Sequence, residues 1–129
     1  MTRVVNLRHE EFDVYGGRRG HGYFGFFGNP FGRAGASREE ALGFFRPWFF
    51  RRVLEDMEFL VSVLELRGLR IGCFCRPLEC HCDLYAAFVE AVPSEWAGAL
   101  IIDWRRNHPL PPERMSDYQR KIVPQGVAS

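Results

Sequence analysis

Features that mark membrane-bound and secreted proteins are absent from this sequence. No run approaches the roughly 18 consecutive apolar residues that a membrane-spanning helix needs, and the first ten residues, MTRVVNLRHE, lack the apolar core of a signal peptide. All four cysteines lie within positions 73–82, where disulfides between them would close only very short loops. We therefore predict a cytoplasmic protein with reduced cysteines and no membrane partner.

A large net charge is also absent, and so, almost, is lysine. The net charge of +1 provides no long-range field to attract nucleic acid, so tight nucleic-acid binding is not expected. Arginine accounts for 16 of the 17 basic residues, Lys121 being the exception. The planar guanidinium group suits phosphate and carboxylate, which favours an anionic ligand, although a GC-rich coding sequence explains the same bias.

The order of the predicted elements indicates an α/β fold. The 129 residues, 47% of them apolar, suffice for one compact domain. Strands are predicted at residues 3–8, 12–15 and 69–75. Helices are predicted at residues 37–46, 47–67 and 80–92. This alternation predicts a single three-layer Rossmann-like domain with a small, largely parallel sheet.

Two boundaries within this order depend on single features. Ser37 and Glu40 form a capping-box pattern that starts the first helix. Pro47 ends or kinks that helix because proline lacks the backbone donor of a helix interior. Residues 12–15 either extend the first strand or form a second one.

The chain divides into two parts near residue 93. Residues 1–93 hold the predicted strands and helices, whereas residues 94–129 form an extension that we expect to pack on the domain and to end in a tail. Within the extension, SEWAGALIIDWRR predicts either a helix or a strand at 99–104. NHPLPPER, at 107–114, is predicted to be irregular because of its prolines.

A glycine-rich segment, residues 16–35, separates the first strands from the first helix. It holds 8 of the 13 glycines, interleaved with tyrosine and phenylalanine. A loop of this length is uncommon in a compact domain unless it is functional, and glycine allows the backbone to approach a ligand closely. Two interpretations stay open: a ligand-binding loop, and a hairpin whose aromatic side chains fill the core.

The cysteines lie in the stretch GCFCRPLECHCDLYAAF, residues 72–88. On a strand, Cys73 and Cys75 project to the same face. Cys80 and His81 fall at the start of the following helix, where free backbone N–H groups and the helix dipole favour a thiolate. The turn between these elements follows the carboxyl end of a strand, where open α/β sheets bind ligands.

Three interpretations of this stretch remain open. In the first, Cys80 is a nucleophile or redox thiol and His81 is its proton-transfer partner. Cys73 or Cys75 is then the resolving thiol. In the second, zinc or an iron–sulfur cluster is bound by four ligands, Cys73, Cys75, Cys80 and His81. In the third, small buried cysteines pack a tight junction between the strand and the helix.

Five segments resemble, in order, a bacterial, archaeal and phage domain of unknown function. They are VVNLR, VYGGR, GNPF, SREEAL and LRIGCFCRPLECHCD, spread over residues 3–92. Members of that family show a GNPF box and then a GCWCxPxxCHGD box. The first box is matched by Asn29, Pro30 and Phe31, and the second by Gly72, Cys73, Cys75, Pro77, Cys80, His81 and Asp83.

Three further positions qualify the resemblance. An arginine that commonly follows the first strand region of the family is matched by Arg18 or Arg19. Phe74 stands where tryptophan is usual, a change expected to be neutral. Cys82 stands where the family has glycine, so the resemblance gives Cys82 no role.

The resemblance implies no particular activity. Each of its two boxes follows a predicted strand, so in a parallel sheet both boxes are expected at the same edge. We therefore predict a small enzyme that binds a nucleotide or another phosphate-bearing metabolite beside a catalytic group of Cys80, His81 and Cys75. The expected ligand-binding residues are Arg18, Arg19, Asn29, Arg76 and Asp83, although capping the first turn of the helix is the simpler role for Asp83. The alternative is a non-catalytic module in which a Cys₃His set holds zinc or an iron–sulfur cluster and the glycine-rich loop binds protein or nucleic acid.

Overall fold

A computed structural model describes residues 1–31 and 37–119 of the chain. Its three strands are β1 (Arg3–Asn6), β2 (Val14–Tyr15) and β3 (Arg70–Cys73). Its α-helices are α1 (Arg38–Glu55), α2 (Met57–Leu64), α3 (Cys82–Ala91) and α4 (Ser94–Asn107), and a 3₁₀ helix follows at Pro112–Asp117. No helix in these described ranges combines the length and the apolar character needed to cross a membrane.

The sheet is small and parallel, in the strand order β1–β3–β2. Val4 and Val14 both pair with Ile71, and these three side chains join the apolar side chains of α1, α2 and α3 in the main core. The predicted α/β class with a parallel sheet is therefore confirmed, and residues 12–15 contribute a strand of their own.

Neighbouring residues of a strand point to opposite faces of the sheet. One face meets the main core, and aromatic side chains cover the other. The ring of Tyr23 stacks on Tyr15 with 4.0 Å between centroids. Phe12 lies over Gly72, where an added Cβ would come within 2.6 Å of its ring. The three-layer Rossmann-like arrangement stays a prediction.

Helix α1 begins as its sequence predicts and ends later. Ser37 Oγ accepts the N–H of Glu40 at 3.1 Å and the Glu40 carboxylate accepts the N–H of Ser37 at 3.0 Å, which confirms the capping box. The prediction of a second helix over 47–67 is wrong, because α1 continues through Pro47. The break falls at Asp56, whose carboxylate accepts the N–H of Phe59 at 3.1 Å and so caps α2.

Strand β3 ends at Cys73, two residues before the predicted end. Beyond the end of β3, the Asn6 side chain donates to the carbonyl of Arg76 at 2.7 Å. This contact between β1 and the turn after β3 is made by a side chain and not by backbone pairing of the two strands. Cys75 therefore lies in the turn after the strand and not on its face.

The extension is more regular than its prolines suggest. Residues 94–107 form α4, the helical alternative, and its Arg105 pairs with Glu58 of α2 at 2.9 Å and with Glu65, the residue after α2, at 2.7 Å. The predicted irregularity of 107–114 is wrong at its end, where Pro112 starts the 3₁₀ helix; a first helical position needs no backbone donor. The predicted tail is the last dozen residues, of which only Tyr118 and Gln119 are described, and both bond to the segment at β2. The rest of the tail, 120–129, and the end of the glycine-rich segment, 32–36, lie outside the described residues.

Candidate functional site

Two of the cysteines come together where β3 ends and α3 is about to begin. Cys73 is the last residue of β3, and Cys80 precedes α3 by two residues. Their Sγ atoms lie 3.5 Å apart, and the two side chains are buried, with 2% and 3% of their surface exposed. The turn between strand and helix therefore brings two thiols into contact in the core.

Cys82, which the resemblance left without a role, belongs to the same cluster. It is the first residue of α3 and fully buried. Its Sγ lies 3.7 Å from His81 Nε2 and within 4.8 Å of Cys80 Sγ. Gly16 makes room for it, because a Cβ at Gly16 would lie 2.5 Å from Cys82 Sγ. The structure therefore places Cys82 beside Cys80, where the sequence assigned it no role.

His81 is held by two backbone carbonyls. Its Nε2 lies 2.7 Å from the carbonyl oxygen of Gly16 and 3.0 Å from that of Phe27. Because carbonyl oxygens only accept hydrogen bonds, Nε2 must carry the hydrogen, and the lone pair of the neutral ring is left on Nδ1. Burial lowers the pKa of His81, and the two hydrogen bonds only partly oppose that shift.

Hydrogen bonds among the three thiols shift the pKa of each of them. Hydrogen bonds from Cys80 and Cys82 lower the pKa of Cys73. The hydrogen bond to Cys73 raises the pKa of Cys80, and hydrogen bonds to Cys73 and Cys80 raise that of Cys82 together with burial. These hydrogen bonds favour ionisation of Cys73 over that of Cys80 and Cys82, since like charges in contact disfavour each other.

Cys75 lies beyond the end of β3 and lines the same cavity as Cys73 and Cys80, described below. It is half-buried. The predicted set of Cys73, Cys75, Cys80 and His81 is not the group whose ligand atoms converge most closely. Among the described residues, a histidine nitrogen and the Sγ atoms of Cys80 and Cys82 all lie within 4.8 Å of one another.

Arg76 and Asp83, both expected to contact a ligand, are partners of each other. The guanidinium of Arg76 donates to both carboxylate oxygens of Asp83, at 2.5 and 3.3 Å. The same carboxylate accepts the N–H of Cys80 at 3.0 Å, which is the capping role considered for Asp83. This pair closes the turn that carries Cys80 and thereby holds its sulfur against Cys73.

A cavity of about 750 Å³ opens beside the cluster. Cys73, Cys80 and His81 form part of its wall, as does Phe74. Much of the wall follows directly on the carboxyl ends of β2 and β3, the edge at which parallel sheets commonly bind ligands.

Three arginines line the same cavity, two of them predicted from the sequence. Arg18 and Arg19 lie in the glycine-rich segment and are exposed. Arg38, which the sequence did not single out, lies in the first turn of α1 and donates to the carbonyl of Glu79 at 2.9 Å. Three guanidinium groups around one cavity favour an anionic ligand.

Asn29 has a structural task at the cavity wall. Its side chain donates to the carbonyl of Ala41 at 3.1 Å and accepts the N–H of Phe31 at 2.8 Å. These bonds tie the GNPF segment to α1, so the amide is engaged within the fold while it lines the cavity.

The cluster fits a metal ion by distance and by donor type. Tetrahedral zinc with bonds to sulfur of about 2.3 Å places its sulfur ligands about 3.8 Å apart, close to the 3.5 Å between Cys73 and Cys80. The ring nitrogen of His81 that lies 3.7 Å from Cys82 Sγ is Nε2, which donates to two carbonyls, so the sulfurs are the donors available to a metal in this tautomer.

Comparison with known proteins extends the resemblance seen in the sequence. Residues 2–91 match the family model described as a domain of unknown function, DUF4326. The chain is 38% identical to an uncharacterised 12.4 kDa protein in the nrdA-td intergenic region of Enterobacteria phage T4, over 89 residues that cover 69% of this chain and 78% of the phage protein. No solved structure matches the chain. The chain belongs to the DUF4326 family.

Proposed function

We propose that Cys73, Cys80 and Cys82 bind one zinc ion in the wall of the cavity, and that the protein is an enzyme acting on a phosphate-bearing metabolite such as a nucleotide. The observation that carries this proposal is that the buried sulfur of Cys80 lies 3.5 Å from that of Cys73 and within 4.8 Å of that of Cys82, beside a cavity lined by Cys73, Cys80 and arginines. Three protein ligands and one open position distinguish catalytic zinc sites from closed structural ones.

The charge of the cluster supports a metal over a free nucleophile. Cys80 is 3% exposed, and its pKa is raised by the hydrogen bond to Cys73, so its thiolate is scarce at neutral pH. A divalent cation in contact with all three sulfurs would stabilise three thiolates at once. Cys80 is therefore assigned as a ligand and not as the nucleophile first expected.

Zinc suits the cluster better than an iron–sulfur centre. Such centres usually take four cysteine ligands, whereas the group of closest ligand atoms among the described residues holds two cysteines and a histidine. When bound, zinc with an open position supplies Lewis-acid chemistry.

His81 is assigned as the group that accepts a proton in the cavity. Its ring lies in the cavity wall, and the carbonyls of Gly16 and Phe27 hold the hydrogen on Nε2. This tautomer leaves Nδ1 as a base without any movement of the ring.

The arginines support the choice of substrate. Arg18, Arg19 and Arg38 approach the cavity from the glycine-rich segment and from α1, and guanidinium groups bind phosphate oxygens in pairs. The cavity lies at the carboxyl ends of β2 and β3, which is where Rossmann sheets bind nucleotides. This position further supports the prediction that the small sheet is a shortened Rossmann-like sheet.

A second candidate function is thiol redox chemistry. It is favoured by the 3.5 Å between the Sγ atoms of Cys73 and Cys80, a contact from which an oxidant could form a disulfide. In that case Cys75, half-buried in the cavity wall, would be placed to exchange with it.

Metal analysis of anaerobically purified protein tests the proposal. We expect one zinc per chain and, after exchange for Co²⁺, an intense absorption band from cobalt–thiolate charge transfer. Inorganic phosphate should then shift the visible cobalt bands, because the open position faces the cavity. Cobalt bands that phosphate leaves unchanged would indicate a closed, non-catalytic site. Protein without zinc whose four thiols all react with an alkylating agent would contradict the metal site and favour redox chemistry.

A further inference from the structure

The 3₁₀ helix of the extension binds the backbone of the glycine-rich segment through hydrogen bonds to Asp117. Asp117 has no exposed surface. Its carboxylate accepts the N–H of Gly25 at 2.8 Å and the N–H of Phe26 at 3.1 Å. A carboxylate that binds two successive backbone donors fixes the position of that backbone, since charged hydrogen bonds are the strongest that side chains form.

Residues next to Asp117 make further contacts with the same loop segment. Ser116 Oγ accepts the N–H of Phe24 at 2.9 Å, so three successive backbone donors of the loop end on two side chains of one helix. The guanidinium of Arg114 lies 3.5 Å from the centroid of the Phe26 ring, a distance at which a cation attracts an aromatic face. We call residues 112–119 the C-terminal strap.

The strap is also attached to the sheet beside the loop. Tyr118 forms an antiparallel bridge with Val14 of β2, and the N–H of Gln119 donates to the carbonyl of Asp13 at 3.0 Å. The strap therefore contacts the segments before and within the glycine-rich loop at once.

The segment held by Asp117 runs directly into the carbonyl that orients His81. Phe27 follows Phe26, is fully buried, and its carbonyl oxygen accepts hydrogen bonds from His81 Nε2 at 3.0 Å and from the Tyr85 hydroxyl at 2.9 Å. A shift of the 24–26 backbone would move that acceptor away from the imidazole. The strap thus holds the backbone of one of the two acceptors of His81 Nε2, the other being the carbonyl of Gly16 at 2.7 Å.

We propose that Asp117 is a positioning residue of the site, which acts by holding the Phe27 carbonyl against His81 Nε2. The strap lies beyond the family-matched residues 2–91, so the working unit of this protein extends past the family domain. The inference rests on the proposed function only in giving His81 a role.

The test uses full-length, metal-free, reduced protein and compares Asp117→Asn with the wild type. The asparagine keeps the size of the side chain but presents an amide donor where one backbone N–H needs an acceptor. Glu113→Gln is the matched control, because Glu113 lies in the first turn of the same 3₁₀ helix and is exposed. The readout is ¹⁵N NMR of the imidazole nitrogens. The His81 signals are identified as those that are missing from the spectrum of a His81→Gln variant.

In the wild type and in Glu113→Gln, His81 is expected as the Nε2–H tautomer with a slowly exchanging ring hydrogen. In Asp117→Asn we expect the Gly16 carbonyl to keep the hydrogen on Nε2, and the ring hydrogen to exchange about tenfold faster or more because the second acceptor is displaced. A folded Asp117→Asn protein with the exchange rate of the wild type would overturn the inference.

Ser116→Ala keeps the test decisive if Asp117→Asn fails to fold. Ser116 is exposed, and its loss removes one of the three loop contacts. A smaller acceleration in the same direction supports the inference, and an unchanged His81 signal overturns it. Because the readout needs neither metal nor substrate, failure of the zinc proposal and failure of this inference are separate results.

Discussion

The Sγ atoms of Cys73 and Cys80 lie 3.5 Å apart although seven positions separate the two residues in the chain. The ion pair of Arg76 and Asp83 closes the turn between them, and the carboxylate of Asp83 also binds the N–H of Cys80. Two side chains outside the cluster thus hold the sulfurs in contact before any ligand is present.

This contact predicts how the metal-free protein oxidises. Treatment with hydrogen peroxide should convert the two thiols to a disulfide, with the two hydrogens leaving as water, and join Cys73 to Cys80. Zinc-loaded protein should resist because its sulfurs are bound to the metal. Intact-mass measurement and peptide mapping follow the reaction. Cys75→Ser should form the same bond, and a disulfide that includes Cys75 in the wild type would contradict the placement of that residue.

Gly16 should tolerate no side chain. A Cβ there would lie 2.5 Å from Cys82 Sγ and 2.7 Å from Ile71 Cγ2, so Gly16→Ala is expected to lower the free energy of unfolding by about 1–3 kcal/mol. Urea unfolding measures this change.

Gly98→Ala provides the control for that experiment. Gly98 lies within α4 and a Cβ there would meet nothing within 4 Å, so the alanine should raise stability by up to about 1 kcal/mol. Equal effects of the two substitutions would show that Cys82 does not pack against Gly16 as described.

Arg38 should contribute to anion binding. Arg38→Gln removes a guanidinium from the cavity wall, and we expect inorganic phosphate to bind about tenfold more weakly as a charged hydrogen bond is lost. Arg46→Gln is the control, because Arg46 is an exposed arginine of the same helix whose guanidinium lies over Phe50.

Titration calorimetry at low and at high salt separates the two variants. A loss of affinity confined to Arg38→Gln at both salt concentrations supports a contact in the cavity. Equal losses in both variants that vanish at high salt would indicate a general charge effect and contradict the assignment of the cavity.

The parallel sheet and the location of the site could be predicted from the sequence, because both depend on local patterns. Alternating apolar residues and the capping box at Ser37 and Glu40 mark elements within a few positions. The passage of α1 through Pro47 could not be predicted in this way. It depends on the packing of Phe45 and Phe49 in the core on either side of the proline, which outweighs one lost backbone bond.

The roles within the site were harder to predict for a similar reason. The resemblance favours Cys75 over Cys82, because the family has glycine at the position of Cys82, and strand alternation places Cys73 and Cys75 on one face, yet β3 ends at Cys73. Beyond that residue the side chain of Asn6, on a different strand, binds the carbonyl of Arg76. Contacts between distant segments, such as that of Asp117 with Gly25, leave no periodic signal in a single sequence.

Zinc content of Cys82→Ser and Cys75→Ser, purified side by side without oxygen, tests the central claim most directly. Cys82 lies in the sulfur cluster, whereas Cys75 lies beyond the end of β3 in the cavity wall. We predict one zinc per chain in Cys75→Ser and in the wild type, and loss of zinc, or affinity lowered at least tenfold in a chelator competition, in Cys82→Ser. Zinc retained by Cys82→Ser and lost from Cys75→Ser would contradict the account.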